Sequence, residues 1–176
     1  FRVRIFFWNY FCSFLLMKRL LSIVFILIAV TNISFAEDNS VPFPTFSLLK
    51  VDSASYLTNI DLKDSVNTVF INFSPTCDHC ERTIKSILES ITKFSQTQFV
   101  LTSFEEFASI RKFYFDNGLN SFTTVFIGQE FDYALTKQIK YTSFPCLILF
   151  DKNKKYIKKI DEESNAKELL KALKIK

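Results

Sequence analysis

The chain has 176 residues, 48% of them apolar and 23% charged, with 22 Phe but only 2 Gly and 4 Pro. That is the size and polarity of one domain with a full core, and it excludes a disordered, collagenous or linker-rich chain. The net charge of +4 lies in the first 36 residues, where Arg2, Arg4, Lys18 and Arg19 meet no acid; the remainder balances 18 basic against 18 acidic residues, which argues against nucleic acid as a partner.

The N-terminal region has the order of an export signal. Lys18-Arg19 precede an apolar run from Leu20 to Val30, and the small residues Ser34 and Ala36 stand ahead of Glu37-Asp38. On this reading Met17 is the start, cleavage follows Ala36, and residues 1–36 are an upstream segment plus signal peptide. Residues 37–176 then form a single domain in the periplasm or another extracytoplasmic compartment of a bacterium. An uncleaved signal would act as a membrane anchor, although neither apolar piece reaches the ~20 residues of a span.

In the domain, Phe46–Val51 and Tyr56–Ile60 read as a hairpin around Asp52-Ser53, and Thr68–Phe73, β-branched and aromatic on both faces, as a central strand. Ile84, Ile87, Leu88, Ile91 and Phe94 form the stripe of an amphipathic helix over 78–94. Gln98–Thr102 returns to strand pattern. Ser103 and Glu106 then read as a capping box for a helix carrying Phe107, Ile110 and Tyr114 that stops near Gly118. Thr123–Gly128 is the next strand, 134–139 a short helix, and Cys146–Phe150 with Tyr156–Ile160 a hairpin. Asn165 and Glu168 cap a last helix with Leu169, Leu170 and Leu173 facing inward. The expected class is α/β, a central mixed β-sheet flanked by helices with an N-terminal β-hairpin extension.

Of the four Cys, Cys12 falls in the upstream segment, which leaves Cys77, Cys80 and Cys146 in an oxidising compartment. Cys77-Asp78-His79-Cys80 sits at a strand-to-helix junction, where unpaired helix N–H groups and the helix dipole favour a thiolate at Cys77. Cys80, one turn on, is spaced to resolve a mixed disulfide formed at Cys77. His79 is expected to support the thiolate and Asp78 to oppose it or to pair with His79. Pro145, at the start of a strand, is expected to be cis.

Cys-x-x-Cys at the start of the first long helix, Phe144-Pro145 before the hairpin, and the strand and helix order resemble the thioredoxin-like fold. With the export signal and the extra hairpin, the chain resembles the TlpA/ResA type of extracytoplasmic thiol-disulfide oxidoreductase (redoxin) over residues 42–176. The resemblance implies dithiol/disulfide exchange in cell redox homeostasis, with Cys77 as nucleophile, Cys80 as resolving thiol and Phe144-Pro145 framing the substrate groove. It implies a redox-active Cys77–Cys80 disulfide with no further cofactor or metal, and as partners protein thiols or disulfides and an upstream electron donor. Thr76 stands where the family usually has an aromatic residue, and Asn72 or Ile71 where it has a buried acid; Glu130 or Asp132 are candidates to replace that acid from another strand end. Two further readings use the same residues. Cys77, His79, Cys80 and Cys146 could form a copper-delivery site, and Ser74, three residues before Cys77, fits a peroxiredoxin-like peroxidase.

Overall fold

The computed structural model of the chain describes residues 41–131 and 133–175. The signal reading, with Met17, Ala36 and Cys12, and the candidate acid Asp132 lie outside those residues. Seven strands form one mixed sheet: β1 (Ser47–Lys50), β2 (Tyr56–Thr58), β3 (Asn67–Asn72), β4 (Thr97–Ser103), β5 (Val125–Glu130), β6 (Cys146–Phe150) and β7 (Tyr156–Ile160). Their order is β2-β1-β5-β4-β3-β6-β7. β3, β4 and β5 run parallel, joined through α1 (Asp78–Glu89) and α2 (Phe107–Asp116); β6, β7 and the β1–β2 hairpin pair antiparallel. Short α3 (Ala134–Gln138) follows β5, and α4 (Ala166–Ala172) follows β7.

The period of two along β3 divides the core. Val69, Ile71 and Phe73 face α1, α2 and α4, packing with Ile84, Ile87, Ile110, Phe113 and Leu169. Phe70 points the other way, into a second cluster with Phe46, Leu48, Leu135, Ile148 and Phe150. Here the Phe-rich composition finds its place. Phe43, Phe46, Phe70 and Phe150 meet edge to face at centroid distances of 4.9 to 5.8 Å, the geometry aromatic quadrupoles favour. Both faces of β3 are therefore dry, as its uninterrupted apolar run requires.

Two local expectations differ from the structure. The apolar stripe continues to Phe94, yet α1 ends at Glu89. The Ser90 N–H turns back to the Ile87 and Leu88 carbonyls, and Ile91–Phe94 form a 3₁₀ turn that still buries Phe94. Ser103 does not cap α2 either; it closes β4, its hydroxyl accepts from the Glu105 N–H, and Glu106 occupies the N-cap without a side-chain bond. At the other end of α2, Gly118 takes φ +62°, the left-handed conformation that ends a helix at low cost.

Candidate active site

β3 ends at Asn72, and Ser74 to Thr76 turn the chain into α1. Cys77 is the N-cap of that helix: its sulfur accepts the Cys80 backbone N–H at 3.3 Å. A thiol in the capping position takes the place usually held by Ser or Asp and meets the positive end of the helix. Cys77 is half-buried, and its Sγ also lies 3.8 Å from the carbonyl oxygen of Phe144, to which the thiol can donate. The Phe144–Pro145 peptide bond is cis, as expected from the sequence. Cys77, Cys80 and Cys146 are free thiols in this structure.

Cys80 is fully buried against Ile71, Ile84 and Phe73 on the α1 face of the sheet. Burial, and then the neighbouring Cys77 thiol, push its own thiol up to about 12. One sulfur is thus accessible and the other is held protonated behind it. Of the two residues nearest in position to the expected buried acid, Ile71 shares the core of Cys80, while Asn72 faces the opposite side with its amide buried and unpartnered. Glu130 is buried too, but its carboxylate accepts the Leu135 and Thr136 N–H groups at the start of α3. That is a structural task.

His79 and Asp78 are both exposed. Asp78 forms no hydrogen bond or ion pair with His79; the imidazole turns instead to Glu163, 84 residues away, with Nδ1 2.5 Å from Oε2. Arg82, one turn along α1, donates to both oxygens of the same carboxylate at 2.8 Å. Two hydrogen bonds from Arg82 and one from His79 hold Glu163 down at about 2. Nothing local in the sequence marks Glu163 or Arg82, because their meeting depends on how the β7–α4 loop docks on α1.

Cys146 is one residue past Pro145 but on the other face of β6, packed with Phe70 and Ile148. Burial and the nearby Asp161 carboxylate raise its thiol above the ordinary range. The sheet separates it from Cys80, and among the described residues no three His, Cys, Asp or Glu side chains converge as metal ligands. The four-residue copper set is therefore not assembled. For the peroxidase reading, the Ser74 hydroxyl turns to the Thr76 hydroxyl at 3.1 Å and to a Glu105 oxygen at 3.3 Å, to which it can donate, rather than to the Cys77 sulfur.

Around Cys77 the surface is uneven. A cleft of about 280 Å³ opens on one side, lined by Pro75, Thr76, Glu81, Lys112, Phe113 and Asp116. On the other, Phe144 packs on Phe104 and Phe104 on exposed Tyr133, with ring centroids 5.7 and 5.2 Å apart.

The β3–α1–β4–α2–β5 core, the β6–β7 hairpin and Pro145 facing the first turn of α1 make this a thioredoxin-like fold. No family model matches the chain, and no curated protein matches its sequence. Solved structures do match in fold. A thiol:disulfide interchange protein of the thioredoxin family from Chlorobium tepidum TLS superposes with a TM-score of 0.63 at 16% identity, over 79% of this chain and 97% of that one. A secreted Mycobacterium tuberculosis disulfide oxidoreductase, homologous to E. coli DsbE, gives 0.60 at 14% identity over 73% and 94%. A thioredoxin-like protein from Aeropyrum pernix gives 0.61 at 13% over 74% and 88%.

Proposed function

We propose that this protein is an extracytoplasmic thiol-disulfide oxidoreductase of the TlpA/ResA type, exchanging disulfides with protein partners through Cys77 and Cys80. The observation that carries the reading is the asymmetry of the pair: Cys77 caps α1 with its sulfur partly open to solvent, and Cys80 lies buried one turn behind it. The thiol:disulfide interchange protein and the secreted oxidoreductase that share the fold support the same chemistry.

In the reductive direction the Cys77 thiolate attacks one sulfur of a client disulfide. The client S–S bond breaks, its second sulfur leaves as a thiolate, and a mixed disulfide forms. Cys80 then gives up its proton, for which the released client thiolate is the nearest new base, and attacks the Cys77 sulfur. The client leaves as a dithiol, reduced by two electrons, and the protein carries a Cys77–Cys80 disulfide that an upstream dithiol donor reduces. Run backwards, the same steps oxidise a client.

The test is reduction of insulin by the protein with dithiothreitol as donor. Cys77→Ser should abolish catalysis, whereas Cys80→Ser should retain the first step and accumulate a mixed disulfide visible by mass spectrometry. Catalysis that survives Cys77→Ser would overturn the reading. An alkaline phosphatase fusion placed after residue 36 tests export, since that enzyme is active only where its disulfides form.

A further inference from the structure

We propose that Glu163, outside the Cys77–Cys80 motif, is a positioning residue of the dithiol: it holds His79 with its proton on Nδ1 and cancels Arg82, leaving His79 Nε2 to set the charge beside Cys77. The inference rests on the proposed exchange chemistry for its consequence but not for its geometry.

His79 and Arg82 are three residues apart on α1 and so share a face. Glu163 meets both from the β7–α4 loop. Nδ1 and a carboxylate oxygen 2.5 Å apart cannot both be bare acceptors, so the proton resides on Nδ1. Arg82 Nη2, 2.9 Å from the same nitrogen, is also a donor and gives one of its two hydrogens to Glu163 Oε2; the shorter carboxylate contact decides the tautomer. Glu163 is exposed, but the loop that carries it is held in place. The next residues are tied to the same helix, Ser164 N–H to Thr83 Oγ1 at 3.2 Å and Ala166 N–H to Ser86 Oγ at 3.1 Å. Residues 79, 82, 83 and 86 follow helical spacing, so the loop lies along one side of α1.

The charged groups around the imidazole are Asp78 and Arg82 on its own helix and Glu163 on the loop, with Cys77 at the helix start. The Arg82 guanidinium is held charged first by Glu163 and, more weakly, by Asp78 and Cys77, which places the Cys77 sulfur within its electrostatic reach. With Glu163 present, Arg82, Glu163 and neutral His79 sum to zero, and protonation at Nε2 makes the trio +1. Without Glu163 the trio is +1 already, and the imidazole has lost the acceptor that fixed it. The thiolate of Cys77 is then favoured even where His79 is neutral.

The chain has one His, so a single imidazole can be followed by nitrogen-15 NMR in the intact protein. In the wild type, neutral His79 should carry its proton on Nδ1. E163A should return it to the Nε2-protonated form that free imidazole side chains prefer. E163Q, whose amide oxygen can still accept, should keep the Nδ1 proton. In both variants the Cys77 thiolate fraction near neutral pH, read by absorbance at 240 nm, should rise severalfold. The glutathione redox equilibrium should move toward the dithiol. An Nε2-protonated His79 in the wild type, or an unchanged Cys77 titration in both variants, would overturn the proposal. If tautomer and titration behave as stated but insulin is not reduced, the exchange reading fails and the placement of Glu163 stands.

Discussion

Cys80 sets the rhythm of the proposed reaction, because a thiol held near 12 by burial is a poor nucleophile until its proton leaves. Between neutral pH and that value its thiolate fraction grows about tenfold per pH unit. Decay of a mixed disulfide between Cys77 and a single-thiol compound, which brings no second thiolate to take the proton, should therefore accelerate with pH in stopped-flow quenching. A pH-independent decay would show that a proton acceptor serves Cys80. Asn72 presents a different problem: its amide is fully buried with neither oxygen nor nitrogen partnered. An orphaned buried amide costs stability, so Asn72→Val, which suits a strand, should raise stability by about 1 kcal/mol in denaturant titrations. At this scale the sequence was informative where function follows from neighbours along the chain. The placement of Cys77 and Cys80 at the start of α1 and the cis bond at Pro145 could be read from the sequence. The partner of His79 could not, since Glu163 is distant in sequence and the adjacent Asp78 was the more obvious candidate.

Elements were legible where burial and propensity agree. β6 and β7 lie at the expected residues on either side of the Asp151–Lys154 turn, and a bulge at Leu149/Phe150 shifts the register beside that turn. Capping boxes were legible only in part. Asn165 and Glu168 form one, with Asn165 Oδ1 accepting the Glu168 N–H at 3.1 Å, whereas Ser103 is claimed by the edge of β4. Asn165→Ala should lower stability by about 1 kcal/mol and fray α4, visible as lost helical signal before the main melt. No pattern in the sequence shows how tightly the N-terminal hairpin docks. Gly128 on β5 does: a Cβ there would come within 2.7 Å of the Leu48 Cβ and 2.9 Å of the Leu49 carbonyl oxygen on β1. Gly128→Ala should cost about 1–3 kcal/mol through overpacking, with chemical-shift changes concentrated in β1 and β2.

For the molecule as a whole, two buried thiols on opposite faces of the sheet couple stability to alkali. Both Cys80 and Cys146 bind their protons more tightly folded than unfolded, so the contribution is complete below about 9 and is lost as pH climbs toward the folded values. The reduced protein should lose stability above pH 9 in urea titrations. Cys146→Ala should lessen that slope, and the Cys77–Cys80 disulfide, which takes the buried Cys80 thiol out of the titration together with Cys77, should lessen it too. The loop from Glu163 to Ala166 adds a consequence for motion. It is stitched to α1 by side-chain contacts at His79, Arg82, Thr83 and Ser86, while α4 beyond it is only seven residues long. A local opening of the C-terminal segment, cheaper than global unfolding, must break those stitches together. Amide exchange at Ser164 and Ala166 should then share one opening free energy and respond to substitution at His79, so that this loop keeps watch over the Cys77–Cys80 turn.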